Sequence, residues 1–431
     1  MLLLAILEVI LILCHGIGEK TVSESQMVGL EYLFNSTNGE RWIFPPSKID
    51  GPKWEFDPPT NPCSPEWQGI TCDCISSGAD TEDCGITEIQ LDECNMRGVV
   101  PDQLSLLSSL TYLHLNNNFL NGTRLDVACG LPALSELRMR LVNLEGSIPS
   151  CLVQVTGLAR LDVGYNLLTG TLPDMLGALS LLSYLDFEYN FHLEGSIPPA
   201  FCQATALRFL DLGSNQFTSS IPSCIGQLTA ISHLALYYNQ LIGTLPTELS
   251  LIQMGVVFLF HGNEFSGSLP TALHQLGQLS TLTVNDNRLS GRLPVLPQSM
   301  VEFTANINML TGSLLNLALL PNLQVADLSH NALTGSLPAN IAAVTTLQEL
   351  LLLGNLLTGQ LPESIGNISS LVYISVDSNM LTGLFTCCQS WFACLGLPYL
   401  MLCMLICRHC SQHNQAYCSG VFLRQLQSSF R

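Results

Sequence analysis

Basic residues are scarce in this chain of 431 residues: 15 Lys and Arg stand against 34 Asp and Glu, for a formal net charge of -19. No run of Lys or Arg occurs, so a surface that tracks phosphates is missing and nucleic acid is excluded as a partner. Catalytic signatures are absent too. There is no G-x-S-x-G, no G-x-x-x-x-G-K-[ST] and no H-E-x-x-H, and the phosphate loop, H-R-D and D-F-G of kinases are missing. The 9 histidines are scattered, and His233 and His261 lie near acids without a nucleophile. Acids gather at Asp80, Glu82, Asp83, Asp92 and Glu93, but no calcium-loop motif frames them, so they read as a solvated acidic cap. The reading is a protein that is not an enzyme and uses no metal or cofactor.

What the chain has is repetition. Thirteen copies of L-x-x-L-x-L-x-x-N-x-L-x-G-x-[IL]-P run from Gly85 to Gly383. One copy sets Leu158, Leu161, Val163, Asn166, Leu168, Gly170, Leu172 and Pro173; another sets Leu347, Leu350, Leu352, Asn355, Leu357, Gly359, Leu361 and Pro362. The Asn position falls at Cys94, Asn118, Val142, Asn166, Asn190, Asn215, Asn239, Asn263, Asn287, Asn308, Asn331, Asn355 and Asn379. Most steps are 24 residues, with 25 into Asn215, 21 into Asn308 and 23 into Asn331.

One unit cannot bury its own apolar face, so units must stack. The alternation L-x-L marks a short half-buried strand, and stacking sets these strands parallel at about 4.8 Å. The Asn amide sits where the chain turns inward and can satisfy buried backbone groups of the neighbouring turn. Cys94 offers a tolerable small thiol there; Val142 offers no hydrogen bond, which predicts local irregularity. The Gly allows a tight path and the Pro fixes φ at the start of a short outer segment of turns or 3-10 helix. The expected fold is a right-handed α/β leucine-rich-repeat solenoid, a horseshoe of about 13 repeats with a parallel concave sheet and a turn/3-10 outer face.

The second half of the unit resembles the plant-type subclass of leucine-rich repeats. Ahead of the repeats, Cys63, Trp67, Gly69 and Cys72 fit the C-x-x-x-W-x-G-[VI]-x-C pattern of the N-terminal cap of plant leucine-rich-repeat receptors. Leu30, Leu33, Gly39 and Trp42 resemble that cap's first helix and turn. The resemblance covers roughly residues 25–383 and implies cell-surface recognition of a peptide, glycan or protein, with signalling by a partner receptor kinase.

The 17 cysteines are many for a cytosolic protein. A Cys63–Cys72 bridge would staple the cap. Cys74 is paired with Cys84, which leaves Cys94 as a buried thiol; Cys84 with Cys94 is the alternative. Cys129 and Cys151, like Cys202 and Cys224, are 22 residues apart in the outer segments of adjacent units. Adjacent turns lie about 5 Å apart, within disulfide reach, so both pairs are expected to bridge; four inert thiols are the alternative. Sequons at Asn35, Asn121 and Asn367 suit a secretory route.

The ends complete the plan. Residues 1–18 read as a signal peptide, although they lack a basic start and contain Glu8. Residues 19–84 form the cap and 85–383 the solenoid. Residues 384–407 carry no charge and are long enough for a transmembrane helix. The tail 408–431 has Arg408, Arg424 and Arg431 and no acid, which places it in the cytoplasm by the positive-inside rule. The reading is a single-pass type I protein of the plasma membrane; a degenerate fourteenth repeat at 384–407 is the alternative. Cys407, Cys410, His413 and Cys418 have the wrong spacing for a zinc knuckle; palmitoylation of Cys407 or Cys410 is chemically easier.

Strand residues between the leucines carry no packing duty and are free for recognition. On the expected concave face these include Arg138, Arg140, Tyr165, Asp186, Glu188, Tyr189, Tyr237, Tyr238 and His261, types enriched in binding hot spots. They are the expected ligand site. A secreted inhibitor of a wall-degrading hydrolase is a second reading. An adhesion scaffold that orders glycans or ice is a third, which a regular row of like residues would favour.

Overall fold

The computed structural model describes residues 19–46, 50–76 and 81–382. The signal peptide, the apolar stretch 384–407 and the tail fall outside these residues. Among the described residues no helix is long and apolar enough to cross a membrane. The chain divides into two compact units, at Thr218 and Ser219.

The first unit begins with the cap. Strand β1 (Glu19–Val22) leads into helix α1 (Glu24–Ser36), whose N-cap Ser23 accepts a bond from the Gln26 amide. Helix α1 buries Leu30 and Leu33 completely. Beside it Phe34, Trp42, Trp54, Phe56 and Trp67 form a chain of ring contacts, with centroids such as Trp42 and Trp54 4.9 Å apart. Large rings supply this small lid with most of its apolar burial. Strand β2 (Ile70–Ser76) runs antiparallel to β3 (Thr81–Gln90), while β1 lies parallel on β3. Disulfides Cys63–Cys72 and Cys74–Cys84 tie the lid. Cys94 is fully buried, with its thiol 3.4 Å from the Asp92 carbonyl.

From β3 the repeats add one short parallel strand each. These are β4 (Tyr112–His114), β5 (Glu136–Arg138), β7 (Arg160–Asp162), β9 (Tyr184–Asp186) and β11 (Phe209–Asp211). Equivalent residues stand opposite one another, as Arg138, Asp162 and Asp186 do. The leucines between them, such as Leu137, Leu161, Leu185 and Leu210, are fully buried.

The turn after each strand is built around the Asn side chain. In Asn166, Nδ2 donates to the carbonyls of Met139, Val163 and Gly164, and Oδ1 accepts from the Val142 and Leu144 amides. Each such amide satisfies groups that burial would leave orphaned. At Val142 the backbone substitutes: its own carbonyl takes the Leu120 amide at 3.1 Å. The 25-residue step has a visible consequence. The Leu193 amide turns to the Asn190 carbonyl, and Asn215 Oδ1 is left buried without a partner.

Beyond the turn the chain is more ordered than isolated turns. It forms a second row of parallel strands, β6 (Glu145–Ser147), β8 (Leu167–Thr171), β10 (His192–Ser196) and β12 (Gln216–Thr218). Here neighbours are staggered by two residues: Ser147, three residues before Ser150, faces Thr169 rather than Thr171. Outer 3-10 helices follow, as at Asp174–Ala178, whose N-cap Pro173 has φ -77. Disulfide Cys129–Cys151 links two of these outer segments. Cys202 and Cys224 are each disulfide-bonded.

The second unit repeats the plan. Its first sheet orders β13 (His233–Ala235), β15 (Val257–Leu259), β17 (Thr281–Thr283), β19 (Glu302–Thr304), β21 (Val325–Asp327), β23 (Glu349–Leu351) and β25 (Tyr373–Ser375). Its second sheet orders β14 (Ile242–Thr244), β16 (Glu264–Gly267), β18 (Arg288–Arg292), β20 (Met309–Gly312), β22 (Ala332–Gly335), β24 (Leu356–Gly359) and β26 (Met380–Leu381). The 21-residue step passes from β18 to β19 with no 3-10 helix between them, so the shortened unit keeps only a turn, closed by the Met300 amide on the Pro297 carbonyl. Elsewhere the Asn ladder is regular, as where Asn355 joins the Leu328 and Leu352 carbonyls to the Leu333 amide.

Candidate ligand-binding site

The expected site residues fall into two groups, one in each unit. In the first unit they converge. Arg140 lies just past β5, and its guanidinium reaches over Gly164 to the acids at the end of β9 and just past it. Its Nη1 is 2.8 Å from Asp186 Oδ2 and 3.7 Å from Asp162 Oδ1, and its Nη2 bonds Glu188 Oε1. A Cβ on Gly164 would stand 2.8 Å from Arg140 Nη1 and 3.0 Å from Asp186 Oδ1. The glycine thus leaves room for an arginine that bridges two repeats.

Arg140 also lies over the Tyr165 ring, 4.4 Å from its centroid. Tyr165 stacks on Tyr189 at 4.3 Å, and Tyr189 meets Phe191 edge-on at 5.7 Å. Tyr165 and Tyr189 are not strand residues. They hold φ of 56° and 53°, the left-handed turn that precedes the ladder Asn. A bulky residue there costs about 1–2 kcal/mol. The turn is held by cross-repeat bonds from the Tyr165 amide to the Glu188 carbonyl and from the Tyr189 amide to the Gly213 carbonyl. The two rings thus stand at the rim of the strand face. Phe191, the neighbour of the ring pair, is 57% exposed and comes with the extra residue of the 25-residue step.

Toward the strand starts runs a second column. Arg160 lies 3.4 Å from the Tyr184 ring centroid, and Tyr184 stacks on Phe209 at 4.2 Å with the planes 5° apart. Glu136 bonds Arg138 and the His114 ring nitrogen, the latter at 3.1 Å. Arg138 is thus tied to Glu136. The strand pattern puts Arg160, Asp162, Tyr184, Phe209 and Asp211 on the same concave face, although they stand outside the expected ligand set. Their signal was the register, which aligns them with residues that were chosen.

Burial shapes the charges. Asp186 is only 2% exposed, so it is a support beneath the face rather than a free contact. Burial, then the charge of Asp162, pushes its carboxyl up to about 6. Burial pushes Asp211 further, to about 8, with Asp186 and Glu188 adding to it and the Gly213 amide opposing. Burial and the charges of Asp186 and Asp162 push the Tyr184 phenol up to about 12. Burial opposes the Arg140 charge, but the Glu188 bond and the charges of Asp186, Glu188 and Asp162 outweigh it and hold the guanidinium protonated.

In the second unit Tyr237 stacks on His261 at 5.0 Å, and Tyr238 meets the same ring edge-on at 5.0 Å. His261 Nδ1 is 2.8 Å from Thr283 Oγ1, and burial lowers its pKa, which favours the neutral ring. Gly262 takes φ +66°, and a Cβ there would strike the Tyr238 ring at 2.3 Å. Both groups offer ring edges and hydroxyls, and the first adds fixed charges. Two clefts lie elsewhere: one of about 520 Å³ in the cap beside Trp67 and Gln90, and one of about 440 Å³ between Ser220 and Glu248.

Known proteins share this build. The leucine-rich-repeat family model matches residues 156–217, and a second model of the same description matches 322–343. A probable leucine-rich-repeat receptor-like serine/threonine-protein kinase of Arabidopsis thaliana is 29% identical over 108 residues, 25% of this chain and 10% of that kinase. The match thus spans a tenth of the kinase's length. The Arabidopsis receptor kinase HAESA, solved with the peptide hormone IDA and the co-receptor SERK1, aligns at TM-score 0.59 and 27% identity, covering 83% of this chain and 66% of that one. A leucine-rich-repeat protein of Leptospira interrogans aligns at TM-score 0.55 and 27% identity, covering 69% and 79%. The chain has the leucine-rich-repeat fold and resembles the ectodomains of plant leucine-rich-repeat receptors.

Proposed function

We propose that this chain is a non-enzymatic recognition protein that faces the outside of the cell. It takes a peptide ligand on the strand face of its first unit and passes the event to a partner receptor kinase. The observation that carries this reading is the constellation of Arg140, Tyr165, Asp186, Glu188 and Tyr189. Residues from successive repeats are locked together there by bonds that do nothing for the leucine core. Such preorganised charge and aromatic edge lower the entropy lost on binding. HAESA, with its peptide hormone and co-receptor, supports the peptide class and the partner. The disulfides support an oxidising compartment. Glycans at Asn35, Asn121 and Asn367 would be compatible, since all three side chains are exposed.

Membrane attachment through 384–407 belongs to the same proposal. Expression of the whole chain with an internal tag in plant cells tests it. Resistance to alkaline carbonate extraction, with a new N-terminus near residue 18, is the expected result. Release into the medium would instead favour the secreted reading, and wall-degrading hydrolases would then be tested as targets. The mixed first strand face, where Arg138 stands opposite Asp162 and not in a row of like residues, weighs against the scaffold reading.

A further inference from the structure

From Glu136 to Glu188 the acids of the first strand face are each neutralised by an arginine, and the next one is not. Glu136 has Arg138, Asp162 has Arg160 at 3.3 Å, and Asp186 and Glu188 share Arg140. Asp211 stands next in register, opposite Asp186 on the neighbouring strand. Among the described residues no cationic side chain lies within ion-pair distance of it. Asp211 is 6% exposed, and its hydrogen bond comes from the Gly213 amide at 2.8 Å. A buried carboxyl so placed is costly to ionise unless a cation arrives. Two residues on, the same face presents Gly213, which adds no side chain. Two residues back it presents Phe209, stacked on Tyr184. The result is an acid beside an aromatic wall and a bare backbone, a setting that suits a guanidinium.

We propose that Asp211 anchors a cationic group of the ligand, an arginine or lysine side chain, and that seating this group expels a proton from the face. The proposal rests on the strand face being the ligand surface. It adds the class of ligand and the proton coupling. Without ligand the carboxyl keeps its proton near neutrality, because burial and the charges of Asp186 and Glu188 outweigh the Gly213 amide and Arg140. The cation pairs with the ionised carboxylate, and the proton leaves to solvent. Affinity for a cationic ligand should then rise with pH, by up to about tenfold per unit below pH 8.

The probe is a tripeptide amide of arginine with two tyrosines, set against the same peptide with citrulline, which keeps the shape and drops the charge. Titration calorimetry of the full chain in two buffers of different ionisation enthalpy reads affinity and protons released together. The expected result is preference for arginine by at least tenfold, with close to one proton released at pH 7. Asp211→Asn should lose both the preference and the proton release, while circular dichroism shows the fold retained. Equal affinity for the two peptides in the wild type, or an unchanged preference in Asp211→Asn, overturns the proposal. Tyr189→Ala separates the two readings. If it weakens both peptides while Asp211→Asn does nothing, the cation anchor falls and the strand face stands; if neither variant matters, both fall.

Discussion

The Arg140 guanidinium meets Asp186 at 2.8 Å across the strand that lies between them, passing over Gly164, where a Cβ would crowd both groups. Gly164→Ala should therefore break the clamp without touching a leucine. The expected loss is about 1–3 kcal/mol, the range for stranding a buried hydrogen-bonded charge. Urea unfolding checks it, and Gly157→Ala is the control. A Cβ at 157 meets its nearest atom, the Leu134 carbonyl oxygen, at 3.4 Å, an ordinary contact. Equal stability of the two variants would mean that the clamp contributes nothing.

Asp211 makes a prediction in pH. Its carboxyl is pushed up to about 8, above the roughly 4 of an unfolded chain. The folded state therefore binds more protons than the unfolded state between about pH 4 and 8. Stability from this group is complete below pH 4 and falls as pH rises through that window. Asp211→Asn removes the dependence, so it should be more stable than the wild type at pH 8 by at least about 1 kcal/mol, with the difference vanishing near pH 4. Thermal melts at several pH values read the difference. A constant difference would show that the buried carboxyl does not take up a proton on folding.

The Asn ladder predicts a contrast. Asn355→Ala strands the Leu333 amide and the Leu328 and Leu352 carbonyls and should cost about 2–4 kcal/mol. At Asn215 the Oδ1 already lacks a partner, so its replacement should cost less. Deleting Phe191 returns the 25-residue step to 24 and should give Asn215 Oδ1 the Leu193 amide, raising stability by about 1 kcal/mol. Denaturant midpoints of the three variants test the order.

Much of this architecture was readable from residue spacing alone. Leucines at period two and an Asn every 24 residues dictate short strands and a buried amide ladder, because each unit can hide its apolar face only against the next. Three features were not readable. The second row of strands depends on cross-repeat pairing of Leu-x-Gly segments, which no single unit encodes. The left-handed turn at Tyr165 and Tyr189 follows from the Asn holding both sides of the turn, not from a tyrosine preference. The burial of Asp186 belongs to its place at the strand end, since Asp162 and Asp211 in the same register are buried too, so a reading of each strand by itself takes the residue as a free contact. The strand pattern places Arg160, Tyr184 and Asp211 on the concave face, but the contacts that join them across repeats become visible only with the register.

The central claim is that the strand face of the first unit recognises a peptide. The most direct measurement is selection of a random peptide library on the folded chain, followed by affinity measurements on Tyr165→Ala, Glu188→Ala and Tyr189→Ala, with Tyr373→Ala as a control from the second unit. The account predicts selected peptides rich in Arg or Lys that lose at least about tenfold in affinity on each first-unit variant and nothing on the control, as expected of contacts near the centre of an interface. Peptides that bind all four variants as tightly as the wild type, or a library from which nothing is enriched, would contradict it.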